Sequence, residues 1–126
     1  MSSKILAAIH AFAFAAVSLT ALAADAPGKF SNGMLVGPNG MTLYIFDKDS
    51  ANTGKSTCNG QCATLWPPLM ATAGDRAEGA WSIVVRDDGS RQWAYKGKPV
   101  YYYQSDKQPG DRTGDNFRDV WLVVKE

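Results

Sequence analysis

Two carboxylates, two thiols and a cluster of tyrosines are the residues of this sequence best suited to chemistry. Asp49 closes the run Tyr44-x-Phe46-x-x-Asp49, and Asp106 closes Tyr101-x-Tyr103-x-x-Asp106, with each position of one run 57 places from its counterpart. Two carboxylates brought together by such a repeat could share acid and base roles. The simpler reading is that each Asp caps its own loop, accepting backbone N–H bonds from the residues that follow the strand, as in an Asx turn. Tyr44 with Phe46, and Tyr101 with Tyr103, fall two apart on a strand and so share a face. Such pairs could form a platform on which a ligand stacks, or they could be core. Among three consecutive tyrosines one must face away from the other two, and Tyr102 is the one expected in solvent.

Cys58 and Cys62 admit a structural disulfide, a redox pair, or soft-metal ligation with Met34, Met41 or Met70. The redox motif has two intervening residues and a βαβ setting, and neither is present. A disulfide is the preferred reading, and closing so short a loop stabilises by about 2 kcal/mol on the chain-entropy argument. The oxygen-rich run Asp47–Thr53 invites calcium, but it fails the EF-hand template, which needs Gly where Asn52 stands and Glu where Cys58 stands. No metal or cofactor is assigned. Four tryptophans are many for this length. Trp81, Trp93 and Trp121 fit strands and a core, whereas Trp66, followed by Pro67 and Pro68, is expected to be partly exposed.

These residues need a scaffold, and the pattern supplies one. Turn signals at Gly37–Gly40, Asp87–Ser90 and Lys96–Lys98 separate short runs rich in β-formers: Met34–Val36, Met41–Phe46, Trp81–Val85, Arg91–Tyr95, Pro99–Tyr103 and Val120–Val124. Gln61–Leu65 can form one helical turn, which the Trp-Pro-Pro run must end. Asp25–Asn32 reads as a flexible leader, and Ala71–Gly79 as the connector between halves. The second half also carries Phe117–Trp121 where the first has Cys62–Trp66, once two residues are dropped from the loop. The expectation is a mainly β fold: an antiparallel sheet of about six strands, made from two pseudo-repeats (about 34–70 and 81–124) of hairpin plus loop, with one or two short helical turns.

The first 23 residues read as a signal peptide, with Lys4 ahead of the apolar run 5–22 and an A-x-A site at Ala21–Ala23. Cleavage leaves a single domain, 24–126, that is periplasmic or secreted. Losing Lys4 balances acidic against basic residues, which argues against nucleic acid or an anionic membrane surface as partner. The only histidine, His10, also leaves, and with it the commonest general base.

The doubled Tyr-x-aromatic-x-x-Asp motif, with Cys58-x-Gly60-x-Cys62 and Trp66-Pro67-Pro68, resembles a bacterial secreted-repeat family, also described as predicted lipoproteins with a Yx(FWY)xxD motif. The resemblance covers nearly the whole mature chain. It implies export but supplies no catalytic residues, and the lipoprotein label does not carry over, since no cysteine near the cleavage site could be acylated and no stable membrane anchor remains after cleavage. With no Ser-His pair and no phosphate-cradling glycine loop, the chain reads as a non-enzymatic module for an envelope protein or small ligand. The alternative is a redox or soft-metal protein using Cys58, Cys62 and methionine sulfurs.

Overall fold

The computed structural model describes residues 26–126, so the expected signal segment lies outside the described residues. Eight short strands and one helix follow in the order β1 (Lys29–Ser31), β2 (Met34–Val36), β3 (Tyr44–Phe46), α1 (Gln61–Leu65), β4 (Met70–Ala71), β5 (Trp81–Val85), β6 (Arg91–Tyr95), β7 (Lys98–Tyr101) and β8 (Trp121–Val123). The fold is mainly β and its pairings are antiparallel, as the turn spacing predicts.

β3 and β7, the strands that open the two motifs, are neighbours, with Tyr44 directly opposite Tyr101. Equivalent residues facing each other across an antiparallel pair place a pseudo-twofold axis between them. The flanking bonds obey it. In one half β8 lies against β3, with Ile45 opposite Leu122 and Asp47 N–H donating to Val120 O at 2.7 Å. In the other, Tyr102 N–H donates to Pro67 O at 2.7 Å and Gln104 N–H to Leu65 O at 2.8 Å. Trp66-Pro67-Pro68 therefore occupies the place of β8, but its prolines have no N–H to complete a ladder, so it is not a strand. β6 pairs along its length with β5 and, on its other side, with β7 at Ala94 and Tyr95 and with β4 at Arg91 and Gln92.

The expected leader is partly a strand. Asn32 and Gly33 have φ of 52° and 82°, the doubly left-handed geometry of a two-residue hairpin turn, and they fold β1 back onto β2. The strand expected over Met41–Phe46 is shorter, because Thr42 bridges to Val36 while regular pairing begins at Tyr44. The core has two parts. One holds Tyr44, Tyr101, Trp66, Trp121 and Cys58. The other holds Leu35, Leu43, Leu69, Trp81, Trp93 and Val100.

Candidate functional site

The two motifs interlock across the pseudo-twofold. Tyr44 of the first repeat donates its hydroxyl to Asp106 Oδ2 of the second at 2.7 Å, and Tyr101 of the second donates to Asp49 Oδ2 of the first at 2.5 Å. Each carboxylate also closes its own loop. Asp49 Oδ1 accepts from the N–H and hydroxyl of Thr57, both at 2.7 Å, and Asp106 Oδ1 accepts from the N–H and hydroxyl of Thr113 at 2.9 and 2.6 Å. The loops close eight and seven residues beyond the Asp, farther than an Asx turn reaches. Both Asp side chains are buried and both tyrosines have no exposure. Burial, and then the hydrogen bond to the neighbouring carboxylate, raises the pKa of each phenol. A proton shared between the two carboxylates is not what this arrangement provides: each has its own tyrosine.

The motif's aromatic position completes the lock. Phe46 of the first repeat stacks on Trp121 of the second (4.3 Å between centroids), Trp121 stacks on Trp66 (3.9 Å, planes within 2°), and Trp66 stacks on Tyr103 (4.0 Å). Tyr44 and Tyr101 meet Trp66 and Trp121 edge-on, at 5.3 and 5.1 Å. Four rings, two from each repeat, thus form one column.

Two exposure expectations need correction. Trp66 is 3% exposed, because its segment lies alongside β7 as β8 lies alongside β3, which carries the indole into the centre of this column. Tyr102 does face the opposite side of the sheet from Tyr101 and Tyr103, but that side is also packed. It is half-buried against the second core, and burial raises its pKa.

The sequence reading missed Arg86. Its guanidinium is buried, donating to Ser56 Oγ at 3.0 Å, Gln92 Oε1 at 2.7 Å and the Cys58 carbonyl at 2.5 Å. The only ion pair among the described residues is elsewhere, between Arg112 and Asp115. The charge reaches a carboxylate indirectly. Because Tyr101 gives its proton to Asp49, Ser56 must donate to Tyr101, and the polar chain runs Arg86, Ser56, Tyr101, Asp49. An arginine beside the Asp87–Ser90 turn gave no sequence signal, since such positions usually face solvent.

Cys58 and Cys62 are joined as a disulfide, with Cys58 fully buried and Cys62 packed against the column. The oxygens of the Asp47–Thr53 loop do not converge. Asp49 turns inward to Thr57 and Tyr101, while Asp47 is exposed.

Also unforeseen is a groove of about 660 Å³ beside the second core. β1 contributes Lys29 and Phe30, β5 Trp81, β6 Trp93 and Tyr95, and the stretch ahead of β5 contributes Gly74–Arg76 and Glu78–Ala80. Its rings meet edge to face, Phe30 with Tyr95 at 5.9 Å and Trp81 with Tyr95 at 5.0 Å. Lys29 and Arg76 set two positive charges against Asp75 and Glu78 at the rim. The signal for this groove was the Asn32-Gly33 turn, which places Phe30 on a strand.

Fold and site define a class: a duplicated β unit whose copies exchange tyrosine–aspartate bonds and stacked rings. The chain belongs to the family described as a secreted repeat of unknown function, which matches it twice, over residues 29–70 and 82–125. That description supports an exported protein. No curated protein matches the chain, and no solved structure does.

Proposed function

We propose that the protein is a non-enzymatic binding module of the cell envelope, exported to the periplasm or beyond after signal cleavage, with the groove lined by β1 and the stretch ahead of β5 as its binding surface. The observation that carries this reading is the commitment of the motif. Both carboxylates and both phenols are occupied by one another and by Thr57 and Thr113, so the conspicuous residues hold the halves together. The groove offers what they do not: aromatic surface, concavity and rim charges in equal number.

The redox or soft-metal reading has less support, because Cys58 is buried and bonded to Cys62. Native mass spectrometry of the protein released from its host's envelope, before chelator or reductant is added, tests both. The expected result is two fewer hydrogens than the reduced chain and an adduct that Tyr95→Ser loses. An adduct with the mass of a metal ion, on a chain with two free thiols, would hand the function to the cysteines. A turnover that required Asp49 or Asp106 would overturn the non-enzymatic reading.

A further inference from the structure

β1 has one edge paired and one edge open, and its register says which backbone groups face outward. A two-residue turn makes Ser31 and Met34 the hydrogen-bonded pair that closes the hairpin, so Phe30 and Leu35 form the next, non-bonded pair. The bonds made by Leu35 agree. Its N–H donates to Val124 O and its carbonyl accepts from Leu43 N–H, both at 2.9 Å and both away from β1. By the same alternation the N–H and C=O of Phe30 point away from β2, and among the described residues neither has a protein partner. Phe30 also lines the groove, so an unpaired backbone donor and acceptor lie on a strand that borders an aromatic-lined concavity.

We propose that the groove takes an extended peptide segment, which adds to the open edge of β1 as a strand. The incoming backbone pairs with Phe30 N–H and C=O, and one apolar side chain seats against Phe30, Trp81 and Tyr95. Strand addition uses main-chain bonds for affinity and a side-chain pocket for selectivity, and the two features present here are of those two kinds. The rim selects the chemistry of the segment. Charges of both signs line the groove, Lys29 and Arg76 with Asp75 and Glu78, so neither sign is favoured on the occupant, which fits an uncharged run of apolar and hydroxyl residues better than a strongly acidic or basic peptide. The groove volume suits a few residues, the span over which a strand as short as β1 can pair. This inference rests on the groove being the binding surface.

The test uses the purified protein and a positional-scanning library of capped, uncharged heptapeptides, read by amide NMR and by hydrogen exchange at Phe30. Selected peptides are expected to slow exchange of the Phe30 amide at least tenfold. Methylating alternate backbone nitrogens of the best peptide is expected to weaken binding at least tenfold, as is Tyr95→Ser, whose fold is checked by near-ultraviolet circular dichroism. If the methylated peptide binds equally well, or indole and single amino-acid amides bind as tightly as any heptapeptide, the groove is a binding surface but strand addition is wrong. If the Phe30 amide is already protected in the free protein, the occupant is a second copy where protection rises with concentration, and residues preceding Ala26 where it does not. Either result overturns the proposal. If no library member and no small aromatic perturbs a groove residue, this proposal and the groove as binding surface fail together.

Discussion

In the first half of the molecule the loop after the motif strand ends in a covalent staple, and in the second half it ends in a close contact. Thr57 and Thr113 play the same part, each bonding the motif Asp of its own repeat. The next residue is Cys58 in one half and Gly114 in the other. Cys62 and Phe117 correspond too, each four residues before the tryptophan of the column. Where the disulfide stands in the first half, the second has Gly114 beneath the rings, with Phe117 against Trp66 (5.7 Å) and Tyr103 (5.9 Å). A Cβ on Gly114 would lie 2.6 Å from the Trp66 ring and 2.8 Å from Tyr103, so this position depends on the absence of a side chain, whereas its counterpart depends on a sulfur. The second loop is also pinned by Asp115, which accepts from Val123 N–H at 3.1 Å and pairs with Arg112 at 3.0 Å. Duplication kept the contacts that cross the pseudo-twofold and let the means of closing each loop diverge.

The strongest way to break the comparison is to remove what both halves share. Trp121→Ala takes a buried ring from the middle of the column and is expected to cost about 3–5 kcal/mol in urea denaturation. Trp66→Ala should cost a similar amount. The double variant should lose less than the two losses added together, because each single change already destroys the shared stack. Additive losses would mean that the rings act independently, and the column would not be a joint between repeats.

How far the sequence reveals this joint depends on which signals are local. Turn residues, alternating apolar runs and the 57-residue register predict a doubled antiparallel sheet, and they place Tyr44 and Tyr101 on equivalent strands. That each tyrosine serves the other repeat's aspartate is a tertiary fact, which no spacing within one repeat contains. Trp66 misleads for the same reason. Beside two prolines it looks like a loop residue, yet its burial comes from Trp121, 55 positions away. Arg86 is hidden because the oxygens that hold it come from a loop about 30 residues earlier and from the next strand. The groove depends on β1, and its turn signal was legible at Asn32-Gly33 but lay inside a stretch whose Pro and Gly content suggested a leader.

Removing the tyrosine hydroxyls separately sharpens the comparison. Tyr44→Phe deprives Asp106 of a donor, and Tyr101→Phe deprives Asp49. Each change is expected to cost about 1–3 kcal/mol, because a buried acceptor is left short of a partner. Tyr101→Phe should be the costlier. Its aspartate has no exposure, while Asp106 retains 7%, and its loss also breaks the link from Ser56 and Arg86 to the carboxylate. Tyr44→Phe also takes from the Gly114 N–H its acceptor, the Tyr44 hydroxyl at 3.2 Å, so equal losses would show that the Arg86 chain is worth no more to the first lock than that bond is to the second.

Reduction acts on the first half alone. Replacing both Cys58 and Cys62 with Ala, which puts no hydroxyl at the fully buried position 58, should lower stability by about 2 kcal/mol, with hydrogen exchange rising over the Asp47–Cys62 loop and little change over Lys107–Asn116. Equal acceleration in both loops would indicate that the staple supports the joint as a whole.

Raising the pH probes both locks together. Tyr44 and Tyr101 have pKa values raised above the ordinary phenol value by burial and by their aspartate partners. Below about pH 10 both phenols are neutral, folded or unfolded, and pH has no leverage through them. Above it the unfolded chain releases protons that the folded chain retains, so stability falls as pH rises, by at most about 1.4 kcal/mol per pH unit for each such tyrosine. Thermal unfolding should therefore begin to shift downward near pH 10, with phenolate absorbance from these two residues appearing together with loss of structure. The Tyr44→Phe and Tyr101→Phe variants should each flatten that dependence, and a variant that leaves the slope unchanged would show that its phenol already ionises inside the folded protein.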